Sequence, residues 1–319
     1  MTTQPLFLSP ALQERIWGGD KLKTEFNYEI PSDKTGEAWV ISAHENGPST
    51  IENGPLKGKT LTEAWENHRD YFNRSETDTE AYPLLVKILD AAKDLSVQVH
   101  PDDTYAREQE GVPYGKTECW YVLDAEADAN IVFGHHANTT EELQTLAENG
   151  DWEKLLRYVP VKKGDFIYVP SGSIHAIGAG IVILETQQSS DITYRVYDYD
   201  RTDDAGNTRE LHLAQSIDVT TAPHIDPELN QTKTTEGDLT VTHLVKEQYF
   251  TVEKWTLAGN VTKTQNQDFL QLSVIDGEGT LTVDGDTYPI KKGTHFILPY
   301  GVQTFDLTGD MTLITSFTS

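Results

Sequence analysis

The stretch "LSVQVHPDD", Leu95 to Asp103, alternates apolar and polar positions. Successive side chains of a strand point to opposite faces. Leu95, Val97 and Val99 therefore share one side, and Ser96, Gln98 and His100 share the other. The pattern predicts a half-buried strand whose polar face aims an amide and an imidazole at a common object. Similar short apolar runs recur between Gly, Pro, Asn and Asp punctuation: "GEAWVISAH", "YPLLVKIL", "ECWYVLDAE", "ANIVFG", "DFIYVP", "GIVILETQ", "DITYRVYDY", "FTVEKWTL", "LQLSVIDGEGTLTVDGDTYPI" and "THFILP". Helical signals are few. "TLTEAWENHRDYF" opens with Thr60 and Glu63 at capping-box spacing, and "DDTYAREQEG" carries an aspartate cap and a terminal glycine. "NTTEELQTLAENGDWEKLLRYV" reads as two short helices broken at Asn149-Gly150. Many short strands with few helices predict a mainly β protein, a sandwich or barrel.

A weak internal repeat divides the chain. "VKKGDFIYVPSGSIHAI" from Val161 and "IKKGTHFILPYGVQTFD" from Ile290 both read K-K-G, strand, P-x-G. Gly164, Pro170 and Gly172 in the first copy match Gly293, Pro299 and Gly301 in the second. The copies part where the first carries His175 and the second Thr304. The polar stretch "PELNQTKTTEGD" is the best boundary between them. The division expected is a metal-binding domain over 1–235, with small helical segments, and a module over 236–319 without metal ligands.

Composition narrows the function classes. Lys and Arg total 25 and Asp and Glu total 51, a formal charge of −26 over 319 residues. Such a chain repels nucleic acid phosphates and anionic membranes, so neither is expected as a partner. No apolar run approaches the roughly 20 residues that span a bilayer. "MTTQPLFLSPALQERIWGG" lacks the basic and apolar regions of a secretion signal. The one cysteine, Cys119, cannot form an internal disulfide, which suits a reducing cytoplasm. The oligomeric state is left open.

The chemistry gathers around the strand described first. In "YGKTECWYVLDAE", Lys116, Glu118 and Trp120 share one face, and Thr117, Cys119 and Tyr121 the other. G-x5-P-x-G-x2-H, from Gly164 to His175, predicts a strand, a tight turn and a histidine at a barrel mouth. Gln98, His100, Glu118 and His175 then form a Gln-His-Glu-His set suited to Zn²⁺ or another borderline divalent ion. One carboxylate leaves such an ion with about +1 net charge, a strong Lewis acid. Other readings compete. His100 precedes Pro101 and can end a strand, Gln98 can hydrogen-bond a neighbour, and Arg195 can pair with Asp191 or Asp198. His135-His136 reads as a pair of surface histidines, since adjacent strand residues point apart.

The G-x5-P-x-G-x2-H segment resembles the second motif of the cupin jelly rolls. The combination Q-V-H-P, K-T-E-x-W-Y, P-x-G-x-x-H-A and S-S-D-x-x-x-R resembles the type I mannose-6-phosphate isomerases, in their short bacterial form. The resemblance runs from "ERIWGG" through "SSDITYRVYDYDR" and thins toward the C-terminus. It implies two jelly-roll barrels, one zinc per chain and an aldose–ketose isomerase acting on a sugar phosphate. It places the zinc ligands on Gln98, His100, Glu118 and His175 and the active-site arginine on Arg195. The longer members' large helical insertion between the Glu and the second His is replaced here by the short "NTTEELQ…LLRYV" helices. Interconverting mannose 6-phosphate and fructose 6-phosphate through an enediol needs a base, a cation near the enediol oxygens, a proton route between O1 and O2 and donors for the phosphate. Lys116 and Arg195 are the expected positive groups, with Arg195 at the reacting carbons. Glu185, a carboxylate in the apolar run "VILETQQSSD", is the expected base or relay. A cupin dioxygenase and a non-enzymatic sugar-binding cupin are the alternatives.

Overall fold

The computed structural model describes residues 4–203 and 205–319. Its strands form three sheets of six, five and nine strands. The six-stranded sheet runs in the order Phe166–Val169, Glu118–Ala125, Ile181–Gln188, Leu84–Ala91, Thr35–Ile41, Ala11–Gly19. Its two central strands, Leu84–Ala91 and Ile181–Gln188, are buried along their whole length. A strand covered on both faces needs no polar alternation, which is why "YPLLVKIL" and "GIVILETQ" are apolar on both sides apart from a few buried polar residues such as Lys87 and Glu185.

That sheet is the middle layer. Val86, Ile88, Cys119, Val182 and Leu184 project to one side, where Val252, Ile297 and Ile314 of the nine-stranded sheet meet them in one core. Leu89, Trp120, Val122, Ile181 and Ile183 project to the other side, against Ile131, Phe133 and Ile177 of the five-stranded sheet. The five-stranded sheet has the order Tyr194–Tyr197, Val97–Val99, His175–Ile177, Asn130–His135, Leu156–Pro160. Its outer residues Val97, Val99 and Ala176 pack under the helical residues Leu143, Ala147 and Leu155. The strand that opened the sequence reading thus has an oily side on the helices and a polar side facing the middle layer.

The nine-stranded sheet draws on both ends of the chain. Leu6–Ser9 pairs with His295–Pro299 on one side and with Thr50–Ile51 on the other. The polar linker supplies an edge strand, Thr232–Glu236, paired with Leu239–Lys246. In the internal repeat, Gly164 and Gly293 both take left-handed φ, at 91° and 88°. That conformation explains why the K-K-G turn needs a glycine in both copies. Gly172 is left-handed too, whereas Gly301 is not, so the two P-x-G turns differ.

The helix Leu61–Asn67 has the full capping box between Thr60 and Glu63. Asp102 caps Asp103–Tyr105, and Gly111 closes the following turn. Thr140–Glu148 and Trp152–Leu155 flank the Asn149-Gly150 break. The second helix stops earlier than the pattern implied: Leu156–Pro160 is a strand, paired with Asn130–His135. The edge of the five-stranded sheet recruits it, and the β-favouring pair Tyr158-Val159 accepts the change.

Candidate metal centre

Three elements converge between the six- and five-stranded sheets. Glu118 opens the strand Glu118–Ala125 and is fully buried. His175 opens His175–Ile177, and its backbone lies in register with Gln98. His100 follows Val97–Val99 directly. The ligating atoms of His100, Glu118 and His175 all lie within 4.8 Å of one another. His100 Nε2 is 3.5 Å from Glu118 Oε2, and His175 Nε2 is 3.4 Å from Glu118 Oε1.

The backbone selects the tautomers. His100 Nδ1 sits 2.7 Å from the Ile192 carbonyl, and His175 Nδ1 sits 2.9 Å from the Ser173 carbonyl. A carbonyl oxygen only accepts, so each Nδ1 carries the proton and each Nε2 presents a lone pair to Glu118. Burial, followed by the Lys116 charge for His100, holds that ring well below the usual histidine range; burial takes His175 down to about 4. Both rings are therefore neutral at neutral pH. His175 Nε2 is buried with no hydrogen-bond partner among the described residues. A buried unpartnered acceptor is costly, and a cation shared with Glu118 and His100 would satisfy it. The donor set fits a divalent ion.

A row of alternating charge leads away from this cluster. Lys116 Nζ lies 2.5 Å from Glu118 Oε2, 3.2 Å from His100 Nε2 and 3.7 Å from Glu185 Oε1. Glu185 Oε2 lies 3.6 Å from Lys87 Nζ. The register explains the row: Glu185 is paired with Trp120 on one neighbouring strand and with Lys87 on the other. Trp120 Nε1 donates to Glu118 at 2.9 Å and to Glu185 at 3.3 Å, holding the two carboxylates side by side. Burial, then the nearby Glu118 charge, raises the Glu185 pKa. Burial also pulls Lys116 down, but Glu118 and Glu185 outweigh it and hold the ammonium above its ordinary value.

Glu118 and the Lys116–Glu185–Lys87 row open into one cavity of about 400 Å³, whereas His100 and His175 are not among its lining residues. Gln98, Lys116, Glu118, Glu185 and Arg195, all singled out in the sequence, line it. Its wall also holds residues that the sequence reading passed over: Arg15, Glu37, Trp39, Lys87 and Arg209. Glu37 accepts from Arg15 Nε at 3.0 Å and from Trp39 Nε1 at 2.6 Å. Burial opposes its ionisation, but Lys87 and Arg15 prevail and hold it at about 2. Lys87 Nζ stands 4.7 Å from the centre of the Trp39 ring. Two of these had a readable signal. Lys87 in "YPLLVKIL" and Glu37 in "GEAWVIS" are charges inside strands otherwise apolar, and burying an unpaired charge is prohibitive.

The histidine pair departs from expectation. His136 is exposed, but His135 is buried, with Nε2 2.9 Å from the Thr221 carbonyl. The chain around Thr221 folds over the strand end and covers the inner ring. His295, in the second repeat copy, is buried between Tyr28 Oη at 2.7 Å and Ser273 Oγ at 2.8 Å.

Known proteins share this architecture. A family model described as phosphomannose isomerase type I, catalytic domain, matches residues 6–139. A second, described as mannose-6-phosphate isomerase, cupin domain, matches residues 240–318. A mannose-6-phosphate isomerase of Bacillus subtilis, ManA, is 52% identical over 316 residues, covering 99% of both chains. One from Streptococcus mutans is 50% identical, covering 98% of both. The crystal structure of the mannose 6-phosphate isomerase from Bacillus subtilis superposes with a TM-score of 0.95 at 49% identity, over 98% of this chain and 99% of that one. The fold is accordingly mainly β and of the cupin type.

Proposed function

This chain belongs to the type I mannose-6-phosphate isomerases, and from that premise we propose that it interconverts mannose 6-phosphate and fructose 6-phosphate through an enediol. The observation that supports the reading best is the convergence of two Nε2 lone pairs on the Glu118 carboxylate, which opens together with the Lys116–Glu185–Lys87 row into one cavity. Gln98, His100, Glu118 and His175 would hold a divalent ion, zinc in this reading. When bound, the ion supplies Lewis-acid stabilisation for negative charge on the enediol oxygens.

The chain's own residues supply the rest. Glu185, its pKa raised by burial and by Glu118, accepts the proton from the carbon next to the carbonyl and returns it one carbon away. Lys116 stays protonated between the two carboxylates and donates toward the substrate oxygens. Lys87 holds Glu185 from the opposite side. Arg195, on the same cavity wall, orients the sugar phosphate. Residues 1–235 would carry this centre and 236–319 the module without ligands. No helix among the described residues is long and apolar enough to cross a membrane, and we place the protein in the cytoplasm.

The test is the zinc-loaded protein with mannose 6-phosphate under anaerobic conditions in D₂O. Fructose 6-phosphate should accumulate and carry solvent deuterium at C1. A loaded protein that forms no ketose, or that turns over only with oxygen uptake, would overturn the assignment.

A further inference from the structure

The one polar side-chain atom of Trp120 sits where the ligand cluster meets the charge row. Trp120 lies two residues after Glu118 on the same strand face, and it is the cross-strand neighbour of Glu185. Both carboxylates therefore flank its ring. An indole nitrogen can only donate, and Nε1 donates to Glu118 Oε1 at 2.9 Å and to Glu185 Oε1 at 3.3 Å. The ring behind it is 1% exposed and packs among Leu89, Val122, Ile131 and Ile177, between two sheets. It meets the His175 ring edge-on, with centroids 5.4 Å apart. A side chain packed on so many sides keeps one rotamer, so the N–H is fixed in place before anything binds.

This bridge determines what each carboxylate has left to offer. Lys116 takes Glu118 Oε2, and Trp120 takes Glu118 Oε1. A carboxylate has about four lone-pair sites, so each Glu118 oxygen keeps one beside the His100 and His175 nitrogens. Glu185 is constrained differently. Trp120 and Lys116 both approach its Oε1, at 3.3 and 3.7 Å. Its Oε2 is buried with no hydrogen-bond partner among the described residues. The indole thus selects which oxygen of the base stays uncommitted. Lys116 also reaches both carboxylates, but its long chain can turn toward substrate oxygens, whereas the packed indole cannot turn.

We propose that Trp120 is a positioning residue that ties the metal ligand to the base: its single N–H orients the Glu118 carboxylate toward the ion and holds Glu185 so that Oε2 is the oxygen presented to the substrate. The proposal rests on the ligand assignment for the role at Glu118 and on the isomerase reading for the role at Glu185. Ion binding and base placement are then coupled through one donor. Outer groups of this kind change metal affinity by about tenfold to a hundredfold although they do not touch the ion. A displaced catalytic group costs a comparable factor in rate.

The test compares the wild type with Trp120→Phe, which keeps an aromatic ring and loses the donor. Zinc affinity is read by competition with a chelating dye, coordination by the visible spectrum of the Co²⁺-loaded protein, and turnover of mannose 6-phosphate at saturating zinc. Trp120→Phe should bind zinc roughly tenfold to a hundredfold more weakly and alter the Co²⁺ spectrum. At saturating zinc it should lower kcat roughly tenfold, with KM held within about twofold. Unchanged zinc affinity and spectrum in a folded variant would overturn the proposal, as would a kinetic loss confined to KM. If Trp120→Phe does not fold, the wild type decides. With its indoles labelled with ¹⁵N, one of the six tryptophan N–H signals should move both on zinc addition and in Glu185→Gln. No signal that responds to both would overturn the bridge. A wild type that binds zinc yet isomerises nothing, with zinc affinity still lowered in Trp120→Phe, leaves the bridge standing at Glu118 and sinks the isomerase reading.

Discussion

At the scale of single residues, the site depends on which nitrogen each histidine presents. His175 and His135 are both buried, and each touches a backbone carbonyl. They differ in where the other nitrogen points. His175 Nε2 faces Glu118 at 3.4 Å, while His135 Nδ1 is buried away from any carboxylate cluster. His175→Ala should therefore abolish tight metal binding and activity. His135→Ala should cost stability, about 1–3 kcal/mol for an opened buried site, and leave the metal in place. Metal analysis beside thermal melting distinguishes them; equal metal content in both proteins would refute the ligand assignment. Residue types alone marked His175 through its motif. They misplaced His135, because nothing in "GHHANTT" announces that the Thr221 segment will cover it.

At the scale of elements, the centre is only as good as the packing of the loop before Glu118 on the loop after His100. Lys116 N donates to the Pro101 carbonyl at 2.9 Å, and Gly115 N donates to Asp103 Oδ1 at 2.8 Å. A Cβ on Gly115 would collide with the carbonyl groups of Pro101 and Asp102, which are backbone and cannot swing aside. Gly115→Ala should push the two loops apart, destabilise the protein by about 1–3 kcal/mol and weaken metal affinity although no ligand is removed. Unchanged metal affinity and an unchanged melting temperature would show that the loops tolerate separation. Pro101 marked a strand end and the aspartates after it a helix cap, yet the contact itself was not legible, since the two segments are brought together only by the fold.

At the scale of the whole molecule, the three layers share cores, and titration of one buried group is felt by all of them. His295 joins the last sheet to Tyr28, and burial lowers its pKa to about 3. An unfolded histidine titrates near 6.5. Above that pH neither state binds the proton, so the full stability is present. Below it the unfolded chain gains a proton that the folded protein refuses. Stability is then lost at up to about 1.4 kcal/mol per pH unit, from near pH 6.5 down to near pH 3. His295→Gln removes this contribution, so its stability should fall less steeply over that window. Chemical denaturation at several pH values checks the difference, and parallel slopes for the two proteins would exclude it.

Several features were decided within the sequence because their physics is local. Side-chain alternation placed Gln98 and His100 on the face opposite Val97 and Val99. The capping box set the start of Leu61–Asn67. Gly164 and Gly293 marked left-handed turns in both repeat copies. Each needs only near neighbours in the chain, so composition and spacing suffice. Other features required the tertiary structure because they depend on contacts between distant segments. Leu156–Pro160 became a strand through an available sheet edge. Leu6–Ser9 joined the final sheet almost 300 residues away along the chain. Lys87 became a partner of Glu185 by cross-strand register, and Arg209 reached the cavity through a turn around Asp198. Register and layer contact are set by the summed burial of whole faces, a quantity that no single segment carries.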